Sequence, residues 1–245
     1  YNLFMKSLII KNSYMKTVKE KDRIKILYII FFVILFLEML GTIAGFFVSS
    51  ASTRAASFSN AFLIILTTTA LIVPWVIEVK YKVDIPDVLE FVVLFMLFIA
   101  VVLGFLYGFY ENVQGFDKFT HTLSGITLSL ISFQVIVFLN RYEKVSLTMG
   151  AGITAVFSYA LSVTLLVIWE IYEFAVDTIS YMINTNIVSN MQKYLWVNTS
   201  SIFPQDYGLV DTMIDLILGC IGALVVCIVG FLIIRKQEIY SKDTA

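Results

Sequence analysis

The chain has 245 residues, of which 59% are hydrophobic and 14% charged, with a mean hydropathy of +0.89. A soluble domain carries about a quarter charged residues, so the composition excludes an ordinary soluble fold, and a formal net charge of −1 excludes the basic field of a nucleic-acid binder. What remains is a polytopic, all-α membrane bundle whose first partner is the lipid bilayer.

Residues 1–25 form a basic, partly amphipathic segment that suits a membrane surface. The apolar run that follows exceeds 20 residues and reads as a retained anchor, not a cleaved signal. About six transmembrane helices are expected, since each crossing takes about 20 apolar residues. They fall at about 26–48, 58–78, 88–109, 118–139, 151–176 and 211–234, and a tail covers 235–245. Pro74 should kink the second near its end. The runs are continuous and lack strand alternation. Two G-x3-G elements, 41–45 and 104–108, read as helix packing. Cys220 and Cys227 are seven apart, about 10 Å along a helix, which is too far for a mutual disulfide.

Basic residues set the orientation. Placing the N-terminal segment, the 80–82 and 141–144 loops and the C-terminal tail on one side leaves only Arg54, Lys118 and Lys193 on the other. Both termini are therefore expected to be cytoplasmic.

That topology gathers three acidic motifs at the outer membrane face. "GFDKFTHTLSG" (115–125) opens the fourth span and holds the only histidine, His121, four residues after Asp117. "WEIYEFAVD" (169–177) closes the fifth, with Glu170 and Glu173 three apart. "PQDYGLVDTMIDLILGCIGA" (204–223) opens the sixth, with Asp211 and Asp215 four apart. Spacings of three and four put each pair on one helix face. Small residues continue those faces: Ser124 and Gly125, Ser158 and Ser162, Gly219 and Gly222. The acids therefore face helix contacts and not lipid.

An ionised side chain inside the hydrocarbon costs roughly 2.5–3.5 kcal/mol on insertion scales. Five carboxylates beside one imidazole need protons, a base or a bound cation. Lys118 follows Asp117 by one residue and is expected to point elsewhere on its helix. Shared protons are one remedy. A divalent cation is another, and one nitrogen with several oxygens suits Zn²⁺, Mn²⁺ or Fe²⁺. On this reading Asp117, His121, Glu173 and Asp215 hold the metal and Glu170 is the general base. Asp211, Gln205, Asp206 and the mid-span Glu38 are secondary candidates. Asp177 reads as a solvated residue at the helix end. The loop at about 177–207 carries aromatics suited to the headgroup level and could cover the site or form an ordinary interfacial loop.

The motifs D-x3-H in "FDKFTH", E-x2-E in "WEIYE" and Q-D…D-x3-D in "PQDYGLVDTMID" resemble the YjdF-type family of integral membrane proteins. More distantly the chain is similar to the VanZ-like family, linked to glycopeptide resistance. Here Glu173 stands for that family's glutamine and Gly219 for its asparagine, and its arginine before the last helix has no counterpart. The resemblance implies a bacterial cytoplasmic membrane protein and names no substrate.

Two functions from different classes fit this pattern. One is a metal-dependent hydrolase or transferase on a lipid-linked or cell-envelope substrate. The other is a cation or proton binding or transport protein, for which Glu38 and Thr67–Thr69 are the evident deeper polar groups. A structural cluster that fixes helix register is a third reading. Oligomeric state does not follow from the sequence.

Overall fold

A computed structural model describes residues 18–48, 51–81, 85–141, 149–183, 191–192 and 207–243. Every regular element among them is helical: α1 (Val18–Val48), α2 (Ala51–Tyr81), α3 (Asp87–Leu97), a π-helical stretch (Phe98–Leu106), α4 (Phe109–Asn112), α5 (Phe116–Arg141), α6 (Ala151–Ile183) and α7 (Tyr207–Asp243). Six stretches are long and apolar enough to cross a membrane: Ile24–Phe47, Asn60–Tyr81, Asp87–Leu106, Phe116–Ile136, Ala151–Ile179 and Gly208–Gln237. Large apolar side chains such as Phe36, Phe47, Trp75, Val156, Phe174 and Leu232 are exposed along them. In water that surface would be untenable; against lipid it is solvated.

The helices form two compact units, Tyr1–Phe109 and Tyr110–Ala245. In the first, Phe31 and Leu35 of α1 lie one turn apart and pack with Ile64 and Leu71 of α2, Leu94 of α3 and Val102. Phe31 meets Phe98 edge to face at 5.6 Å, the arrangement favoured by the ring quadrupoles. The helix α2 runs through Pro74 to Tyr81. Its Thr67, Thr68 and Thr69 hydroxyls donate to the carbonyls of Leu63, Ile64 and Ile65, four residues back, at 2.8, 2.7 and 2.9 Å. Each threonine is thus satisfied within its own helix, and the run gives no sign of a deeper polar path.

The third crossing is not one uniform α-helix. Asp87 and Glu90 occupy the first turn of α3, where carboxylates complement the helix dipole. From Phe98 the helix widens, and Tyr107 N–H donates to the Val102 carbonyl, five residues back, at 3.0 Å. Gly108 ends the stretch with φ 70°, a conformation open to glycine. It is a turn residue there. Gly41, in the other G-x3-G element, has open space where a Cβ would stand.

The second unit is α5, α6 and α7. Gly115, at φ 77°, turns the chain into α5. The helices α5 and α7 approach until backbone meets backbone. A Cβ on Gly125 would strike the Gly219 carbonyl, and one on Gly222 would strike the Thr122 carbonyl. A Cβ on Gly219 would lie 2.8 Å from Leu166 Cδ1 of α6. Glycine is what lets membrane helices approach this closely, since lipid supplies no hydrophobic force to press them together. This seam fixes the height and spacing of everything at its end.

Candidate functional site

At that end the three acidic motifs meet. His121, Glu170, Glu173, Asp211 and Asp215 are buried, as is Lys118. The Lys118 ammonium donates to Asp117 Oδ2 at 2.9 Å, to Asp215 Oδ2 at 2.7 Å and to Asp211 Oδ1. An ammonium has three donors, and all three are used. This corrects the expectation that Lys118 points away from the acids. A residue one position from Asp117 starts about 100° round the helix, but the flexible four-carbon stem of lysine carries its charge back. The base that the cluster needs is supplied by its own chain.

His121 bridges the aspartates and the glutamates. Its Nε2 lies 3.4 Å from Asp117 Oδ1, and its Nδ1 lies 3.4 Å from Glu170 Oε1. Glu173 Oε1 accepts from Trp169 Nε1, one turn away, at 2.8 Å. Both Glu170 oxygens, Asp211 Oδ2 and Asp215 Oδ1 are buried without a hydrogen bond from the described residues. The Thr212 hydroxyl approaches Glu170 from α7 but falls outside hydrogen-bond geometry.

Donor atoms close enough to share one ion form two overlapping groups, Asp117–His121–Asp215 and His121–Glu170–Glu173. The groups differ in what is already there. Asp117 and Asp215 are held by the Lys118 ammonium, whose charge repels a second cation. Among the described residues no lysine or arginine pairs with Glu170 or Glu173.

Residues 34–236, which include every residue of this cluster, match the family model DUF2238, described as a predicted membrane protein. The chain belongs to that family. No curated protein and no solved structure matches it. The DUF2238 match agrees with the membrane-protein resemblance read from the motifs. The more distant VanZ-like similarity gains no support from it.

Asp117, His121, Glu170, Glu173, Asp211 and Asp215 are thus brought together from three helices. Gln205 and Asp206 lie outside the described residues. Glu38 belongs to the first unit, where its carboxylate lies near the Tyr107 hydroxyl and raises the pKa of that phenol. Asp177 is not simply solvated: it accepts the backbone N–H groups of Met191 at 2.9 Å and Gln192 at 3.1 Å. The Gln192 amide then donates to Thr212 Oγ1 at 2.6 Å. Two residues of the loop are therefore tied to α6 and α7 beside the site.

Tyr110, not singled out in the sequence, belongs with the site. It packs edge to face on Phe116 at 5.3 Å, close to the Thr120 hydroxyl. Burial, with the fields of Asp117, Glu173 and Asp215, pushes its phenol above the ordinary value near 10. The sign of the linkage follows. Above pH ~10 an unfolded chain would release this proton while the folded chain keeps it, so stability falls as pH rises. In detergent, wild type should lose melting temperature above pH ~10 more steeply than Tyr110→Phe. Parallel curves would place the phenol outside the buried cluster. Aromatics are frequent in this chain and nothing in the local pattern distinguishes Tyr110; only the turn at Gly115 brings it over α5.

Proposed function

We propose that the cluster is a membrane-embedded cation centre serving a metal-dependent hydrolase or transferase, with His121, Glu170 and Glu173 as ligands. The observation that carries this is that neither Glu170 oxygen has a hydrogen bond from the described residues, while Oε1 lies 3.4 Å from His121 Nδ1. That separation is long for an N–H···O hydrogen bond. It fits two donors about 2.1 Å from one tetrahedral ion, which lie ~3.4 Å apart. Asp117 against Nε2 matches the carboxylate that commonly orients a metal-ligating histidine. Zn²⁺, Mn²⁺ and Fe²⁺ suit this mixed nitrogen and oxygen set.

Relative to the set expected from sequence, Glu170 joins the ligands, while Asp117 and Asp215 become partners of His121 and Lys118. A divalent ion here would supply Lewis acidity for attack by water. Glu170 Oε2, which has no hydrogen bond from the described residues, would take the proton from that water, the role of general base. Positive charge in the loops argues for an extracytoplasmic site with both termini cytoplasmic. The YjdF-type resemblance argues for a bacterial cytoplasmic membrane. A site between helices at that level suits a lipid-linked or cell-envelope substrate.

The test is the metal content of detergent-purified protein supplied with Zn²⁺, Mn²⁺, Fe²⁺ and Mg²⁺. Wild type should carry about one equivalent. His121→Ala and Glu170→Gln should lose it while remaining folded. Metal-free wild type would overturn the reading and leave shared protons to balance the carboxylates.

A further inference from the structure

The middle of the second unit is polar. Ser129 and Ser132 of α5 and Ser158 and Ser162 of α6 are fully buried, inside stretches long enough to cross a bilayer. Three of these hydroxyls satisfy one another. Ser129 donates to Ser162 at 3.1 Å and also reaches the Ala223 carbonyl of α7 at 3.3 Å. Ser162 lies 3.2 Å from Ser132 and donates to the Ser158 carbonyl at 2.6 Å. None of these residues belongs to the acidic cluster at the end of the unit.

Ser158 is the exception. A serine or threonine inside a helix commonly donates to the carbonyl four residues back. Thr122, Thr127, Ser162 and Thr164 all do so. The Ser158 hydroxyl makes no such bond, and none to any described residue. It is therefore turned off its own helix, and its full burial keeps it from lipid. Thr154 and Ser162 lie one turn to either side on the same helix face, and Ser162 meets α5 there. Thr154 is 1% exposed, and its one bond, to the Met149 carbonyl, is long at 3.4 Å. Close packing alone would be served by alanine at 158, without a buried hydroxyl to satisfy. Residues 122–139, 151–169 and 216–234 include no charged side chain, so an ion at this level would stand uncompensated. The chemistry that fits is a small neutral molecule that both donates and accepts.

We propose that Thr154 and Ser158 form a binding site for one buried water on the face of α6 turned to α5. Side chains one helical turn apart have Cβ atoms about 5–6 Å apart, a span that one water bridges with two ordinary hydrogen bonds. The water accepts from Ser158 Oγ and donates to Thr154 Oγ1, which keeps its own proton for the Met149 carbonyl. Its second proton goes to a backbone carbonyl, giving the three bonds usual for a buried water. The site fastens the half of the unit remote from the acids, and it is independent of the metal reading.

The experiment is thermal unfolding of the full chain in detergent. Ser158→Ala takes one partner from the water and should lower the melting temperature by roughly 2–4 °C. A dry hydroxyl would instead be relieved by its removal, so a melting temperature that rises or stays unchanged overturns the site. Thr154→Val keeps the side-chain shape and removes the other end of the bridge. Because one water serves both, the double variant should melt little below the lower of the two single variants. Strictly additive losses overturn the shared water. So does a wild-type melting temperature raised by sodium chloride but not by choline chloride, with the rise lost in Ser158→Ala, since that would put an ion there. If the variants fail to insert, a wild-type density map that resolves ordered waters decides. It should show a peak about 2.8 Å from Ser158 Oγ, and a map without one overturns the proposal.

Discussion

Lys118→Met should unfold the second unit more readily than any single loss of an aspartate. Methionine keeps most of the apolar stem and removes the charge. Asp117, Asp211 and Asp215 would then face one another without the ammonium that now bonds all three. Removing one partner of a buried ion pair costs about 3–5 kcal/mol, because the other is left as an uncompensated charge. At roughly 2–4 °C per kcal/mol for a chain of this size, the melting temperature should drop by about 6–20 °C. Asp211→Asn with Asp215→Asn should restore much of the loss in the Lys118→Met background, since the charges that need a cation would be gone. The readout is thermal unfolding in detergent. A Lys118→Met melt that coincides with wild type would mean that Lys118 does not hold the aspartates.

The rescue matters more than the loss. Many substitutions destabilise a membrane bundle. Recovery on neutralising two residues more than ninety positions away is expected only if one ammonium serves both. Added divalent cation makes a further distinction. If the aspartates without Lys118 become a metal site of their own, the Lys118→Met protein should be stabilised by divalent cation more than wild type is.

Gly125→Ala should be the most damaging single methyl group in the chain. The new Cβ would collide with the Gly219 carbonyl, which belongs to the α7 backbone and cannot rotate away as a side chain could. Overpacking a core typically costs 1–3 kcal/mol, and a backbone-to-backbone collision should cost about 3 kcal/mol, the top of that range. Relief requires α5 and α7 to separate. The aspartates of α7 would then move from Lys118 and His121 of α5. Gly125→Ala should therefore loosen the Lys118 ion pairs to α7 as it lowers the melting temperature. Gly41→Ala, where the added Cβ meets nothing within 4 Å, is the control and should melt like wild type. Equal melting of the two variants would remove the seam as the element that sets the site.

How far the sequence reaches can be judged from these same residues. The six crossings follow from uninterrupted apolar length, because a lipid solvent leaves the backbone little choice but helix. The meeting of Asp117, His121, Glu170, Glu173 and Asp215 follows from two periodicities. Helical spacing puts each pair on one face, and reversal of direction at every crossing returns those ends to a common level. Both are local or counting arguments, and they need no knowledge of packing.

Lys118 is where that reasoning stops. Cβ direction assigns it to a different face from Asp117, and only the distance to α7 decides whether its stem can reach Asp211 and Asp215. Gly125, Gly219 and Gly222 set that distance, and a glycine says that close approach is possible without saying which helix approaches. Asp177 shows the same limit, because its partners are backbone N–H groups 14 and 15 residues away that no side-chain pattern marks. Tyr110 depends on a turn, and the Ser158–Ser162 stripe on which helix faces it. The sequence by itself determined the membrane crossings and the level of the acids, through length and period. The tertiary structure alone decided which charge each acid meets, because that depends on the separation of helices far apart in the chain.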